Sequence, residues 1–255
     1  PAKSLDRVRK LVEVNGVKVT IGAWFGDSSG ATAPYAEDNK IPVVSPSCSL
    51  APSSLANQGW DKYGFRVCLH DGLQGKVLAK IVKDGNYTRA AAIVQDTPYG
   101  IGLGEAFFDA LDAYGIEHMD AVVTYDRAKK DYLTELGQIK TWGPDVVLLV
   151  SYCDDGIIVL KQASDLGMGI DNGVAWLGCD GNYGSGMFKD TTAAEFMVSS
   201  LAAGTRSVGP SPEEYPPYKN FIDSYTAAYG EAPQIYCDHM YEHVKVIVAQ
   251  IEKNG

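Results

Sequence analysis

The chain has 255 residues, 45% of them hydrophobic and 21% charged, which suits two globular domains of roughly 100–150 residues each and argues against disorder. Its formal net charge of -10 argues against a face for nucleic acid or an anionic membrane surface, since both need clustered Lys and Arg. No apolar run approaches the about 20 residues that a membrane-spanning helix needs, so direct membrane insertion is not expected.

Helices and strands alternate in the first part of the chain. Amphipathic stripes predict the helices, and short β-branched or apolar runs predict the strands. The predicted elements are, in order, a helix (4–13), a strand (17–21), a helix (28–38), a strand (41–44), a Ser/Pro/Ala-rich loop (45–57) and an extended segment (64–67).

The same alternation restarts after His70. Predicted helices lie at 71–83, 102–114, 132–141 and 156–166, and predicted strands at 90–94, 121–125, 145–150 and 174–177. Continuous apolar strands separated by helices indicate parallel sheets covered on both faces. A Gly/Ser/Pro-rich linker (203–217) and two helices (218–229 and 239–253) complete the pattern. The fold class predicted from these runs is α/β, with two doubly wound parallel-sheet lobes.

The first lobe is expected to be incomplete. The alternation of helices and strands before His70 contains two predicted strands, which are too few to bury the helices around them. We therefore expect the chain to be a fragment that lacks sequence at both ends, with a first lobe that is less stable than the second.

Polar residues follow the predicted strands of the first lobe, where parallel sheets bind ligands. Gly26 permits close backbone approach, and Asp27 or Ser28 is able to cap the helix that follows. After the next strand come Ser47, Cys48 and Ser49, which offer small hydrogen-bonding groups to a carboxylate. An ordinary capped turn and a solvated Ser-rich loop are the alternative interpretations.

In the second lobe, Tyr99, Tyr152 and Asp180 follow three different predicted strands and are expected to converge at one edge of the sheet. Asp180 is suited to balance an ammonium group in a partly desolvated site. The alternative for Asp180 is a simple Asp-Gly turn.

The sequence predicts no catalytic residue, no metal and no cofactor. His239 and His243 are four residues apart on the last helix but lack the spacing of a zinc-protease motif, and Gly100 to Gly104 lacks the spacing of a dinucleotide-binding fingerprint. The five cysteines are interpreted as buried small side chains, with a Cys153–Cys179 disulfide as the alternative.

The order of short motifs resembles the leucine/isoleucine/valine-binding proteins, the type I periplasmic receptors of branched-chain amino acid ABC transporters. The motifs cover nearly the whole chain. They are Leu5 to Leu11, Ile21-Gly22, Ala33 to Glu37, Ile41 to Pro46, Phe65-Arg66 with Asp71 and Gln74-Gly75, Tyr99-Gly100, Ala193 to Phe196 and Tyr225 to Gly230.

This resemblance implies two lobes that close on a ligand held in the cleft between them. It places the crossovers near 65–70 and 201–210, so that lobe 1 comprises 1–69 with 207–255 and lobe 2 comprises 70–206. It also implies roles for the residues above. Ser49 matches the hydroxyl residue that binds the ligand carboxylate, and Ser47 and Cys48 match its backbone-contributing neighbours.

Tyr99 and Tyr152 resemble the aromatic residues that close over the ligand, and Asp180 resembles the acid that pairs with the ligand ammonium. Gly26 stands where the family often has a serine, so Ser28 is included as a candidate, and the side chain of the ligand is left open.

The implied function is a periplasmic or extracellular solute-binding receptor of an ABC transporter, with an amino acid as ligand, a permease as partner and a monomeric state. The alternative is the ligand-sensing domain of a receptor or repressor that binds an amide, urea or an aromatic acid. An enzyme is the least favoured class.

Overall fold

The computed structural model describes residues 2–207 and 209–254 and has an α/β fold with parallel sheets. The chain divides into two compact units. The first unit is Pro1–Leu69 with Ser207–Gly255, and the second unit is His70–Arg206.

The elements are numbered in chain order within the described residues. The helices are α1 (Ala2–Arg9, continued by a π-helical turn, Lys10–Val14), α2 (Gly26–Asn39), α3 (Pro52–Asn57), α4 (Asp71–Asp84), α5 (Pro98–Asp112), α6 (Leu133–Trp142), α7 (Cys153–Asp165), α8 (Thr191–Ser200), α9 (Pro216–Tyr229) and α10 (Cys237–Asn254). The strands are β1 (Thr20–Ile21), β2 (Val43–Ser45), β3 (Gly64–Arg66), β4 (Arg89–Gln95), β5 (Glu117–His118), β6 (Val123–Tyr125), β7 (Val146–Val150), β8 (Ala175–Gly178) and β9 (Leu201–Gly204).

The sheet of the first unit has three parallel strands in the order β1-β2-β3. Thr20 pairs with Val43, and Val43 pairs in turn with Gly64. The prediction of two strands in this lobe is therefore wrong, because the segment expected only to be extended pairs with β2. Pairing satisfies backbone donors that would otherwise be buried without partners, as in the bond from the Val43 N–H to the Tyr63 carbonyl, 2.8 Å.

The predicted loop at 45–57 contains a helix, α3, which the loop prediction missed. Proline at the first helical position is preorganised for a helix, and Pro52 occupies that position here. Leu55 gives the short helix a buried side chain that anchors it. The many serines and prolines concealed this local signal.

The sheet of the second unit is also parallel, in the order β5-β4-β7-β8-β9, with β6 alongside the carboxyl-terminal half of β4. All five residues of β7 are buried, as the uniformly apolar sequence predicts. The core around these strands includes the large side chains of Trp176, Tyr132 and Phe196.

The sequence analysis predicted neither β9 nor α8 of the second unit. The predicted linker at 203–217 begins inside β9, which pairs in parallel with β8. Before it, α8 starts where the Asp190 side chain accepts a hydrogen bond from the Ala193 N–H, 3.1 Å. An aspartate three residues before such an N–H is a typical helix start, but the sequence analysis assigned no element to this stretch.

The cysteines of the chain are all free thiols. The alternative of a Cys153–Cys179 disulfide is thus wrong. The Cys179 sulfur instead lies 3.3 Å from the Tyr99 hydroxyl, in a fully buried position. No helix among the described residues is long and apolar enough to cross a membrane.

Candidate functional site

In the first unit, the turn after β2 is tied to the segment after β1 by serine hydroxyls. The Ser45 hydroxyl donates to the Ala23 carbonyl at 2.6 Å and accepts from the Cys48 N–H at 3.1 Å. Ser29, from α2, also donates to the Ala23 carbonyl, at 3.2 Å. Parallel strands bring their carboxyl ends to one edge, so residues about 20 apart in sequence meet here.

The predicted residues Ser47, Cys48 and Ser49 lie in this turn and are all buried. The Ser47 hydroxyl donates to the Trp24 carbonyl, and the Arg66 guanidinium donates to the Cys48 carbonyl at 2.9 Å and to the Leu50 carbonyl. These bonds fix the path of the backbone past Ser49.

Sequence reasoning did not assign Arg66 this role. It recognised the Phe65-Arg66 pair only as a family landmark. The available signal was an arginine at the carboxyl end of a strand, whose planar donors suit more than one carbonyl.

Gly26 and Ser28 lie in the first turn of α2, where Gly26 is buried and Ser28 half-buried. The N-cap is Phe25, without a side-chain capping bond, so the prediction that Asp27 or Ser28 caps this helix is wrong. The helix starts two residues earlier than its apolar pattern suggests. Gly26 is a close-approach position, because a Cβ there would lie 2.7 Å from the Leu50 side chain.

In the second unit, Tyr99 and Asp180 form a buried pair. The Tyr99 hydroxyl donates to Asp180 Oδ1 at 2.8 Å and accepts from the Gly181 N–H at 3.2 Å. Tyr99 is 4% exposed and Asp180 8% exposed, so little water competes for these bonds. A side chain at Gly181 would collide with the Ser151 carbonyl and the Tyr99 hydroxyl, at 2.6 and 2.8 Å.

The electrostatics of this pair fix the direction of the hydrogen bond. Burial, followed by the negative charge of Asp180, raises the pKa of Tyr99 well above its ordinary value. Burial, again followed by Asp180, raises the pKa of the neighbouring Cys179 thiol to about 12. Tyr99 therefore stays a hydroxyl donor and Cys179 stays an unreactive thiol at physiological pH.

Tyr152 extends the same cluster. Its ring stacks on that of Tyr99, with centroids 5.8 Å apart and planes 12° apart. The guanidinium of Arg127 lies over the Tyr152 ring, 4.7 Å from its centroid. Sequence reasoning missed Arg127, although it follows the predicted strand at 121–125 and so lies at the same edge of the sheet.

The structure thus brings the predicted residues together in two sets. Gly26 lies close to the turn of Ser47 to Ser49 in the first unit, and Ser28 lies in the same helical turn as Gly26. Tyr99, Tyr152 and Asp180 lie together in the second unit. Among the described residues no group of three or more His, Cys, Asp or Glu side chains is arranged to hold a metal ion.

Comparison with known proteins decides the family. A family model described as "Periplasmic binding protein" matches residues 1–255. The chain belongs to the periplasmic binding protein family. The motif resemblance to the leucine/isoleucine/valine-binding proteins is matched by relatives that carry that name.

The relatives of this binding protein include BraC3, a Leu/Ile/Val-binding protein of Rhizobium johnstonii, which is 29% identical over 80% of this chain and 56% of the relative. The leucine-binding protein LivK of Thermotoga maritima superposes with a TM-score of 0.86 at 24% identity, covering 99% of this chain and 69% of LivK.

A solute-binding protein of R. palustris, solved with 4-hydroxybenzoate, gives a TM-score of 0.61 at 23% identity, covering 69% of this chain and 47% of that protein. The chain spans 45% and 64% of the lengths of two other Leu/Ile/Val-binding relatives, from Brucella melitensis and Brucella abortus.

Proposed function

We propose that this binding protein is the ligand-binding part of an ABC transporter receptor, located in the periplasm or outside the cell, and that its ligand is an amino acid. The observation that carries the proposal is the buried Asp180 carboxylate, held by Tyr99 at the carboxyl edge of a parallel sheet in a chain of a solute-binding family. A permease is the partner expected for such a receptor.

Both sets of residues are proposed to contribute to affinity. The buried turn of Ser47 to Ser49 offers hydroxyl and backbone donors to a carboxylate, while Asp180 offers a negative charge to an ammonium group. Tyr152 supplies an aromatic surface beside that charge. These complementary groups favour a zwitterion over a purely cationic or purely apolar ligand.

Calorimetry with a panel of amino acids, including leucine, isoleucine and valine, tests this proposal. Asp180→Asn and Ser49→Ala are each expected to weaken binding by about tenfold to hundredfold, since a hydrogen bond to a charged group contributes roughly 1.5–3 kcal/mol. Asp171→Asn and Ser53→Ala are matched controls at exposed positions and should bind like wild type. Unchanged affinity in both site variants would contradict the proposed residues.

An aromatic carboxylic acid is a second candidate ligand. Trp24 and Phe25 directly precede Gly26 and remain 39% and 43% exposed, which leaves aromatic surface beside the first set. The R. palustris relative was solved with such an acid. Because 4-hydroxybenzoate has no ammonium group, its binding should tolerate Asp180→Asn, whereas amino-acid binding should not.

A further inference from the structure

Arg127 lies beside the stacked rings of Tyr99 and Tyr152 in the second unit, and the proposed function gives it no role in ligand binding. Arg127 follows β6, and its guanidinium carbon lies 4.7 Å from the centre of the Tyr152 ring. Arginine over an aromatic face contributes about 0.5–2 kcal/mol, with more as the pair is desolvated. Tyr152 in turn stacks on Tyr99, which donates to Asp180. Arg127 is therefore one end of a continuous series of contacts that ends at the buried carboxylate.

The carboxylate of Asp155 lies close to the Arg127 guanidinium. One of its terminal nitrogens lies 3.8 Å from Oδ1 of Asp155, which is in the first turn of α7 and 2% exposed. The other carboxylate oxygen of Asp155 accepts from the Gln95 amide at 2.7 Å and from the Tyr125 hydroxyl.

Those two bonds hold Oδ2 of Asp155, and Oδ1 is the oxygen that lies nearest the Arg127 guanidinium. A buried carboxylate also needs a nearby positive charge, and Arg127 provides one. The Arg127 side chain is otherwise 45% exposed, and Asp155 is the carboxylate that pairs with it among the described residues.

We infer that Arg127 is a positioning residue that orients Tyr152 and thereby sets the ligand affinity of the Tyr99–Tyr152–Asp180 cluster. This inference rests on the proposed function. Tyr152 is half-buried and lies at the N-cap of α7, and its side chain makes no capping bond. Its ring orientation is set in part by the surfaces that pack on it, and Arg127 and Tyr99 are two of those surfaces.

The contact itself is tested without ligand. Protons on the Arg127 side chain should resonate upfield in wild type because of the Tyr152 ring current, and their NMR signals are assigned from their loss in Arg127→Lys. Tyr152→Leu should return them to ordinary positions. Signals that stay unchanged in Tyr152→Leu would overturn the inference.

The effect on affinity is tested by a double-mutant cycle with whichever panel ligand the wild type binds. Arg127→Gln should weaken binding by about 2- to 30-fold, the range that a cation–π contact provides. Arg127→Lys should recover part of that loss, because lysine keeps the charge but not the planar stack. Adding Arg127→Gln to Tyr152→Leu should cost nothing further.

Arg89→Gln is the matched control, since Arg89 lies over the Trp142 ring at 4.3 Å at the opposite end of β4. It should lower stability but leave affinity unchanged. Additive losses in the cycle, or an Arg127→Gln variant that binds like wild type, would overturn this inference but leave the proposed function standing. A wild type that binds no member of the panel would overturn the proposed function and this inference with it.

Discussion

Tyr99 shows how a single side chain can organise a buried site. Its hydroxyl contacts Asp180, the Gly181 N–H and the Cys179 sulfur within 3.3 Å. Because its pKa is raised well above the ordinary value, the hydroxyl keeps its proton, and the Asp180 carboxylate always has a donor beside it. The same bond holds together residues 81 positions apart in the sequence.

His243 is a buried titratable residue of the first unit. It is 1% exposed, and neither ring nitrogen has a hydrogen-bond partner within the described part of the chain. Burial, followed by repulsion from His239, lowers the pKa of His243 below its ordinary value of 6.5. The folded state therefore keeps His243 neutral over a pH range in which the unfolded state already binds a proton.

We expect the free energy of unfolding to fall as pH decreases below about 6.5, by up to about 1.4 kcal/mol for each unit between the two pKa values. The sign follows because the unfolded chain binds more protons in this range. Urea denaturation at several pH values checks this prediction. In His243→Leu the decline should be shallower than in wild type, and parallel pH profiles would rule out this residue as its source.

At the scale of elements, α2 and the turn after β2 approach each other unusually closely. Gly26 begins the helix, and the fully buried Leu50 lies against it. A helix start without a Cβ lets the turn that carries Ser47 to Ser49 lie directly on the end of α2. The sequence suggested Gly26 for its backbone N–H, and the structure adds this packing requirement.

Gly26→Ala should destabilise the first unit by about 1–3 kcal/mol, the range typical of overpacking a core. The reason is the 2.7 Å approach that its Cβ would make to Leu50 Cγ. Chemical denaturation followed by tryptophan fluorescence measures the change. In a Leu50→Ala background the added cost should be much smaller, because the colliding atoms are gone.

Gly102→Ala serves as the comparison. Gly102 lies inside α5, where an added Cβ would meet nothing within 4 Å, so this change should be neutral or stabilising by about 0.5–1 kcal/mol. Equal destabilisation by both glycine substitutions would show that close packing at Gly26 is not the cause.

At the scale of the whole molecule, the two units differ in how well their sheets are enclosed. In the second unit, β4 has paired strands on both sides, and residues 90–95 of it are all buried. In the first unit the sheet of the described residues has three short strands. Several large apolar side chains of α10 are about half exposed, namely Val244, Val246, Val248 and Ile251.

Amide hydrogen exchange should therefore be slowest in β4 and β7, and measurably faster in β1 and β3 of the first unit. Exchange followed by mass spectrometry of peptides from each sheet provides the measurement. Equal protection of both sheets would contradict the expectation that the first unit is the less stable one.

Sequence alone determined the α/β class and the family. Apolar runs such as 146–150 predict buried parallel strands because they are short, rich in β-branched residues and separated by predicted helices. It also placed Tyr99, Tyr152 and Asp180 after strands, which is sufficient to put them at one edge of a parallel sheet. Their roles in ligand binding stay predictions.

Only the tertiary structure decided which side chains touch. The stacking of Arg127 on Tyr152, the bonds from Arg66 to the turn at Cys48, and the packing of Gly26 on Leu50 all depend on strand register and helix placement. Short elements such as α3 and β3 were missed or left undefined for the same reason. A few residues carry too little periodic signal on their own, and the contacts that stabilise them come from parts of the chain distant in sequence.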